Sequence, residues 1–304
     1  MSTPPRVSVP TATTPGSSDH AAFARALRRV APQLRRDLPW IDDPRPWAVL
    51  VSEVMLQQTQ TSRVVEPWHR FLELFPTPTR CADAPLSAVL TAWTGLGYPR
   101  RAKALHSAAR IMRDDYAGEV PSTVAQLLEL PGVGEYTAHA VTSFAFGEPV
   151  AVLDTNVGRV LARALENRTL RHAEARALAA SLVPQRDSAR YNQAMLDLGA
   201  QFCRAAPICE FCPMRTNCAW QRDGGQDPAP KSAAVSRPQT SFKGSNREMR
   251  GRVLRELTVG PRTTRQIARV LGEIEASRRR EVLEGLARDG LVSRRGQSYS
   301  LAEG

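Results

Sequence analysis

The sequence has no apolar run near the roughly 20 residues that a membrane-spanning helix needs. Its first residues also lack the basic-then-apolar order of a secretory signal peptide. These two absences argue against a membrane partner and against export. We therefore predict a cytoplasmic protein.

Acidic residues are fewer than basic ones. Asp and Glu number 30 against 41 Lys and Arg, which gives a formal net charge of +11 over 304 residues. Solubility alone does not need such an excess, so the balance favours a polyanionic partner. Net charge does not distinguish DNA from RNA or from an acidic membrane surface.

Cysteine is scarce but unevenly placed. Four of the five cysteines form one cluster, with gaps of five, two and five residues between Cys203, Cys209, Cys212 and Cys218. In a reducing compartment such a cluster indicates a metal site rather than disulfides. Four thiolates at this spacing suit either a [4Fe–4S] cluster or an all-cysteine zinc site. Cys81 stands apart and is predicted to be a small buried hydrophobe.

The chain is predicted to be mainly α-helical and to have room for two or three compact units. Residues 1–18 are rich in Ser, Thr and Pro without an apolar period, which predicts a disordered tail. Residues 19–222 carry helical patterns, and the Gly-, Pro-, Ser- and Gln-rich residues 223–246 are typical of a linker. Residues 247–304 show three helical stretches and a hairpin pattern, which resembles a winged helix. Its arginines, among them Arg280 and Arg295, are candidates for phosphate contacts or for a solvated face.

A glycine-rich turn at Pro131-Gly132-Val133-Gly134 lies between two predicted helices. Pro131 ends the first helix, and glycines without a Cβ allow the turn to present backbone N–H groups outward. N–H groups at a helix N-terminus bind phosphate. The alternative is an ordinary tight turn between helices.

Two carboxylates stand out upstream and downstream of this turn. Apolar residues at three- and four-residue steps predict one buried helical stripe, formed by Trp47, Leu50, Val51, Val54 and Met55. Glu53 and Gln57 fall on a different face, which is either a solvated flank or a polar, base-reading surface. Asp154 precedes a predicted helix over 155–165, where its simplest role is an N-cap.

The run Ser52-Glu53-Val54-Met55-Leu56-Gln57-Gln58-Thr59-Gln60-Thr61 resembles the signature of MutY-type adenine DNA glycosylases. The segment Gly95-Leu96-Gly97-Tyr98 and the pairing of Tyr136 with Asp154 match further parts of this family, and the resemblance covers about residues 20–220. It implies a helix-hairpin-helix DNA glycosylase fold with a cysteine cluster loop at 203–218. No segment resembles the family's Nudix-like domain, whose place the winged-helix-like unit takes.

The resemblance implies base excision repair of adenine mispaired with 8-oxoguanine or guanine in double-stranded DNA. The adenine is flipped out of the stack and its N-glycosidic bond is hydrolysed. By resemblance Glu53 protonates the adenine, and Asp154 stabilises the developing positive charge on the sugar. Tyr136 stands where strand-cleaving, endonuclease-III-like relatives carry a lysine. It implies a monofunctional enzyme, because a phenol cannot form a Schiff base.

Further contacts to substrate and DNA follow from the same resemblance. They are Arg36 and Trp40 at the adenine pocket, Gln58 and Tyr98 as a wedge in the vacated stack, Gln57 and Thr59 of the signature run, Gly132, Val133 and Gly134 at the hairpin, and Asn156 beside Asp154. Ile41 is a departure, because the family commonly has arginine there.

The resemblance favours an iron–sulfur cluster over zinc, although the first cysteine gap is one residue shorter than is usual in the family. We expect a monomer. Two other functions stay open from the sequence. One is a thymine or uracil mismatch glycosylase, and the other is a cluster-bearing DNA-binding protein without catalysis.

Overall fold

A computed structural model describes residues 17–232, 234–235 and 242–304 of the chain. The predicted mainly helical fold class is confirmed. The helices are α1 (Ser17–Leu34), α2 (Pro39–Asp42), α3 (Pro46–Leu56), α4 (Val65–Leu74), α5 (Pro78–Asp83), α6 (Leu86–Ala92), α7 (Arg100–Asp115), α8 (Val124–Leu128), α9 (Glu135–Phe146), α10 (Thr155–Val160), α11 (His172–Leu182), α12 (Ser188–Gln201), α13 (Ala219–Asp223), α14 (Asn246–Leu257), α15 (Thr264–Leu271) and α16 (Ala276–Arg288).

Shorter elements complete the chain. A π-helical turn, Leu161–Leu165, continues α10, and single 3-10 turns lie at Thr61–Arg63, Cys209–Phe211, Arg215–Asn217 and Ala229–Lys231. The strands are β1 (Arg262–Thr263), β2 (Val292–Arg295) and β3 (Ser298–Leu301). Among the described residues, no helix is long and apolar enough to cross a membrane.

The described residues form two compact units. Unit 1 takes its residues from 1–36 and 149–236, and α12 packs there against both α1 and α10. Helix α1 continues through Pro32 to Leu34. A proline near the C-terminal end of a helix removes one ladder hydrogen bond, and burial of Phe23, Leu27 and Leu34 outweighs that loss. The predicted tail falls outside the described residues up to residue 16, and the helix begins at Ser17.

Part of the predicted linker is folded into unit 1. Asp227 accepts hydrogen bonds from the guanidinium of Arg163 at 2.6 and 2.8 Å. The hydroxyl of Ser232, which is 3% exposed, donates to the Pro228 carbonyl and accepts from the Leu170 N–H. Composition indicated a loose connection, whereas these two polar side chains fasten the segment. The remaining predicted linker includes residue 233 and residues 236–241, which lie outside the described part, and the domain boundaries themselves stay a prediction.

Unit 2 takes its residues from 37–148 and 237–304, with α3 at its centre. Residues from Trp47 to Met55 are all buried, and α4, α7 and α9 pack around them. The predicted stripe is buried, and burial also extends to the other faces of α3, which the sequence pattern did not indicate. Two indole N–H groups fix its neighbours: Trp47 donates to the Phe75 carbonyl at 2.8 Å, and Trp68 donates to the Ala48 carbonyl at 2.9 Å.

The C-terminal part of unit 2 has the predicted three helices and hairpin, which confirms the winged-helix-like pattern. Its antiparallel sheet has the order β1-β3-β2, with Tyr299 of β3 opposite both Arg262 and Arg294. Strand β1 was not predicted, because two residues are too few to show an alternating pattern.

A buried carboxylate joins these C-terminal helices to α7 within unit 2. The Asp289 side chain is 5% exposed and accepts hydrogen bonds from Arg100 and Arg250. The ammonium of Lys103 donates to the Asp289 carbonyl oxygen at 2.8 Å. Although partial burial alone raises the pKa of Asp289, the hydrogen bonds from Arg100 and Arg250 hold that pKa below its usual value. The ionised carboxylate is therefore the form that the fold stabilises.

We expect Asp289→Asn to lower the melting temperature at neutral pH, since the amide keeps the shape but loses the charge. A carboxylate whose pKa is lower in the folded than in the unfolded chain stabilises the fold at any pH above its unfolded pKa of 3.8. This stabilisation is lost as the pH falls through the lower pKa of the folded chain. The difference in melting temperature between wild type and Asp289→Asn should therefore become smaller as the pH is lowered below 3.8. Thermal unfolding across pH checks this, with Asp114→Asn, an exposed ion-pair carboxylate on α7, as the control. An equal loss in the control contradicts the assignment.

Candidate active site

The predicted site residues fall into two groups, one in each unit. Unit 2 contains Trp40, Glu53, Gln57, Gln58, Thr59, Tyr98 and the glycine hairpin with Tyr136. Unit 1 contains Arg36, Asp154, Asn156 and the four clustered cysteines.

Glu53 lies in the middle of α3 and is only 5% exposed. The solvated-flank alternative is therefore excluded. Trp40 and Val54 are buried in the same unit, and the Trp40 ring packs edge-on against Trp68 with centroids 6.0 Å apart. Burying a carboxyl group costs free energy, and the catalytic role of Glu53 stays a prediction.

The amide of Gln57 connects the signature run to the glycine hairpin. Its Nε2 donates to the Gly132 carbonyl and to the Thr137 hydroxyl, each at 3.2 Å. Gln57 thus holds the hairpin against the end of α3. Its predicted contact to a base stays a prediction.

The guanidinium of Arg101 organises the loop that follows α3. Nη1 donates to the carbonyls of Val54, Met55 and Gln57 at 2.9, 2.8 and 2.5 Å, which are acceptors that the end of a helix leaves open. Nη2 donates to the Thr59 hydroxyl at 3.0 Å and to the Gly97 carbonyl at 3.1 Å. Burial lowers the pKa of Arg101 to about 10, which still leaves the side chain charged at neutral pH.

Gln58 and Tyr98, the predicted wedge residues, share an unusual backbone conformation. Their φ angles are +56° and +47°, in the left-handed region that costs a non-glycine residue free energy. The Arg101 guanidinium lies 5.4 Å from the centre of the Tyr98 ring and also bonds the chain on both sides of Gln58. One half-buried cation therefore holds both strained loops.

The two glycines of the hairpin differ in why they are needed. Gly132 has φ +81°, and a Cβ added there would lie 2.7 Å from the Ala104 Cβ. Gly134 has φ −96° as the N-cap of α9, and a Cβ there would meet open space. Val133 between them is 8% exposed, and its N–H donates to the Leu130 carbonyl at 3.1 Å. The turn thus requires Gly132, whereas Gly134 leaves room beside the first N–H groups of α9.

Tyr136 is the second residue of α9 and is half-buried. This position carries a phenol and no amine, as the sequence shows.

Asp154 caps α10 and is held through both carboxylate oxygens. Oδ1 accepts from the Val157 N–H at 2.8 Å, and Oδ2 accepts from the Asn156 amide at 2.6 Å, which is the contact predicted for Asn156. Enclosure of the carboxylate raises the pKa of Asp154, while these two hydrogen bonds and the charge of Arg159 act in the opposite direction. The N-cap role is therefore real, and it also fixes the orientation of the carboxylate.

Arg159 connects this carboxylate network to the cysteine loop. Its Nη2 donates to the Asn156 side-chain oxygen at 2.6 Å, and its Nε donates to the Cys203 carbonyl at 2.6 Å. Gly199 of α12 lets the chain come close here, because a Cβ at this residue would lie 2.6 Å from the Asn156 carbonyl oxygen. Three hydrogen bonds, which pass through the Asn156 amide and the Arg159 guanidinium, thus connect Asp154 to the Cys203 carbonyl.

Arg36 is engaged inside unit 1. Its Nε donates to Asp197 Oδ1 at 2.6 Å, and the Asp197 side chain is 1% exposed. The amide of Gln193 donates to the same oxygen at 2.8 Å. The predicted adenine-pocket role of Arg36 stays a prediction, because this ion pair explains its position on its own.

The side chains of Cys203, Cys209, Cys212 and Cys218 line one cavity in unit 1, together with apolar side chains that include Leu198, Phe202 and Met214. Within the described ranges, no three His, Cys, Asp or Glu side chains are placed to hold one metal ion. Cys81 is fully buried elsewhere, and burial raises the pKa of its thiol to about 12, which agrees with a structural role.

Arg163 supplies positive charge at this cavity. It lies in the π-helical turn, is 1% exposed, and its Nη1 donates to the Cys203 sulfur at 3.5 Å. The same guanidinium donates to the Arg204 and Ala205 carbonyls and pairs with Asp227. Arg163 is therefore a buried cation beside the cysteine side chains, and backbone carbonyls fix its position. Its positive charge suits a metal group that is bound by several thiolates.

Sequence reasoning missed the roles of Arg101, Arg159 and Arg163. Arg101 follows the matched segment Gly95-Leu96-Gly97-Tyr98 by three positions, which was a usable signal. Arg159 and Arg163 gave none, because one arginine in a chain with 41 basic residues is indistinguishable from a surface charge.

We expect the two hairpin glycines to separate stability from DNA binding. Gly132→Ala should lower the melting temperature, because a positive φ and a 2.7 Å contact both oppose a Cβ. Gly134→Ala should leave the melting temperature almost unchanged and weaken DNA binding, because its Cβ enters the space beside the α9 N-terminus. Thermal unfolding and a DNA titration of each variant check this. Full DNA affinity in Gly134→Ala contradicts the phosphate-binding role.

Comparison with known proteins gives one consistent result. Residues 51–185 match the HhH-GPD superfamily of base excision DNA repair proteins. The chain is 40% identical over 267 residues to an adenine DNA glycosylase of Mycobacterium tuberculosis, covering 85% of this chain and 86% of that protein. It is 38% identical over 230 residues to the adenine DNA glycosylase of Homo sapiens, covering 71% of this chain and 42% of that one.

Among solved structures, a thermostable thymine-DNA glycosylase is similar with a TM-score of 0.62 and 29% identity, covering 68% of this chain and 98% of that one. An endonuclease III trapped in a covalent intermediate with DNA has a TM-score of 0.59 at 24% identity, with the same shares covered. The latter likeness concerns the fold alone. Together these matches confirm the predicted helix-hairpin-helix glycosylase fold.

Proposed function

This chain belongs to the adenine DNA glycosylases of the HhH-GPD superfamily, and from that membership we propose that it removes adenine mispaired with 8-oxoguanine or guanine in duplex DNA. As a member of this family, the protein is a base excision repair enzyme, namely a DNA N-glycosylase that binds DNA. The observation that carries the proposal is Glu53, a carboxyl group at 5% exposure in the family signature on α3. The mispair preference, the monomeric state and the cytoplasmic location stay predictions.

In the proposed reaction the flipped adenine leaves as a neutral base. Glu53 donates a proton to an adenine ring nitrogen, which makes the base a better leaving group. The sugar gains oxocarbenium character as the bond from C1′ to N9 breaks, and the Asp154 carboxylate stabilises that positive charge. Water then adds its hydroxyl group to C1′ and releases a proton, so the product is an abasic site and free adenine.

The contacts of Asp154 support its part in this scheme. A carboxylate stabilises a cation only in its ionised form, and hydrogen bonds from Val157 and Asn156 favour that form. The same bonds leave the carboxylate one orientation, which is what preorganised electrostatic stabilisation needs.

Tyr136 supports a monofunctional reaction. Strand cleavage through a Schiff base needs an amine at the sugar, and a phenol cannot supply it. The product is therefore proposed to be an intact strand with an abasic site.

We expect Glu53→Gln and Asp154→Asn each to slow adenine release by roughly 10²- to 10⁴-fold, the usual contribution of such groups. Single-turnover adenine release from A:8-oxoguanine, A:G and T:G duplexes measures this, with direct nicking as a second readout. Glu73→Gln is the control, because Glu73 is an exposed carboxylate on α4. Full release of adenine by Glu53→Gln contradicts the proposal.

The pH profile tests Asp154 separately. Because its pKa is raised above the usual 3.8 and its ionised form is required, the acid limb of the single-turnover rate should lie above pH 3.8. Asp154→Asn should lack that limb. A wild-type rate that stays constant to pH 3.8 contradicts the assignment.

A second candidate function is removal of thymine or uracil from mismatches. The likeness to a thermostable thymine-DNA glycosylase at 29% identity favours it. The T:G duplex in the same experiment decides between the two, since thymine release without adenine release moves the protein to this activity. Binding without release of either base supports a non-catalytic DNA-binding protein.

We also propose that the four clustered cysteines hold a [4Fe–4S] cluster. The family resemblance favours an iron–sulfur cluster over zinc. The four cysteines line one cavity, and the buried guanidinium of Arg163 lies beside the Cys203 sulfur. When bound, such a cluster would fasten the 203–218 loop, and Arg163 would offset part of its negative charge.

Metal analysis of the purified protein checks the cluster. We expect about four iron and four sulfide per chain and no stoichiometric zinc. Cys209→Ala should lose iron and melt at a lower temperature, whereas Cys81→Ala should keep its iron, since Cys81 lies apart from the cavity. One zinc per chain, with no iron, contradicts the proposal.

A further inference from the structure

Unit 2 contains a second feature beside the predicted wedge, a cleft of about 730 Å³. One side is formed by Leu56, by residues 58–60 and by residues 95–98, and the other by α14 and Phe242. This volume lies within the range of about 300–1,000 Å³ that is typical of binding sites. The C-terminal helices thus add a wall to the part of the fold where a duplex is predicted to be opened.

The charge of the cleft is positive. Arg63, Arg247, Arg252 and Arg255 line it against a single acid, Glu248. The Glu248 carboxylate accepts from the Gly244 N–H at 2.7 Å, so it is already used at the start of α14. Arg63, Arg252 and Arg255 are exposed to solvent. A row of exposed guanidinium groups along a cleft fits the phosphates of a nucleic acid backbone.

An exposed aromatic ring stands at the same cleft. Phe242 is 56% exposed, yet its backbone is held, because its carbonyl accepts from the Ser245 N–H at 3.1 Å and from the Ser245 hydroxyl at 2.6 Å. An apolar ring beside cationic side chains is the usual composition of a surface that stacks on nucleic acid bases.

Helix α14 is fastened to the wedge itself. The guanidinium of Arg247 donates to the Tyr98 hydroxyl and lies 5.5 Å from the centre of its ring. Asp289 then holds α14 to α7 through Arg250 and Arg100. A strand that receives Tyr98 therefore passes directly along α14.

We propose that this cleft binds the DNA strand opposite the flipped adenine, with Arg252 and Arg255 on its phosphates and Phe242 stacked on a base next to the mispair. The proposal rests on the proposed function, because it takes Gln58 and Tyr98 as the residues beside the opposite base. In this chain the winged-helix-like unit thus reads the opposite strand through α14 rather than through α16.

Salt dependence of binding tests the phosphate contacts. The probe is a duplex with 2′-fluoro-2′-deoxyadenosine opposite 8-oxoguanine, which resists hydrolysis because the fluorine destabilises an oxocarbenium ion. Arg255→Ala should bind this probe more weakly than the wild-type enzyme does, and the slope of log K against log salt should fall by about 0.9 in magnitude, the effect of one lost phosphate contact. Arg265 is an exposed residue of α15 that lies outside the cleft. Arg265→Ala therefore serves as the control, because it removes an equal charge and should leave the slope unchanged.

A neutral methylphosphonate linkage then identifies the strand. Placed in the strand opposite adenine, beside the mispair, it should weaken wild-type binding and have little further effect on Arg255→Ala. Placed in the adenine strand, it should weaken both proteins equally. Phe242→Ala should weaken binding without changing the salt slope, because a ring carries no charge.

Two outcomes overturn the proposal. In the first, the salt slope of binding falls in Arg280→Ala and not in Arg255→Ala, which assigns the phosphate contact to α16. In the second, a methylphosphonate in the adenine strand weakens wild-type binding but not binding by Arg255→Ala. Adenine release is measured separately with unmodified duplexes. If the wild-type enzyme releases adenine but Arg255→Ala keeps the wild-type salt slope, the cleft proposal alone is refuted. If Arg255→Ala loses slope as expected but the wild-type enzyme releases no adenine, the proposed function alone is refuted.

Discussion

The interaction on which unit 2 depends is the set of hydrogen bonds made by the Arg101 guanidinium. It satisfies the carbonyls at the end of α3, fixes Thr59, and reaches the Gly97 carbonyl of the next loop. A lysine could not replace it, because one ammonium cannot donate in so many fixed directions. The loops with Gln58 and Tyr98 are held from the inside, by a cation that lies under both.

In unit 1 an arginine side chain also holds several backbone and side-chain groups in place, here around Asp154. Arg159 spans from Asn156, which holds Asp154, to the Cys203 carbonyl at the start of the cysteine loop. The glycine at position 199 allows this close approach of α12. The position of the Asp154 carboxylate and that of the first residue of the cysteine loop are therefore coupled by hydrogen bonds.

Local patterns predicted most helices, the hairpin and the cysteine cluster, because helical period, glycine turns and cysteine spacing are short-range signals. The enclosure of α3 was not predictable from its own residues, since burial on all sides depends on α4, α7 and α9. The folded part of the presumed linker was missed for a similar reason: Asp227 gains its role only from Arg163, 64 positions earlier. Glu53 and Asp154 were found by family resemblance, whereas the arginines that support them were found only in three dimensions.

The left-handed backbone at Gln58 and Tyr98 has a consequence for how this protein evolves. Glycine at residue 58 would relieve a cost of about 1–3 kcal/mol, offset in part by the larger entropy that glycine loses on folding. Glycine at residue 98 would relieve the same strain but would remove the ring that Arg101 and Arg247 contact. Either variant would lose a side chain proposed to enter the duplex, so selection for stability and selection for repair act in opposite directions at residue 58.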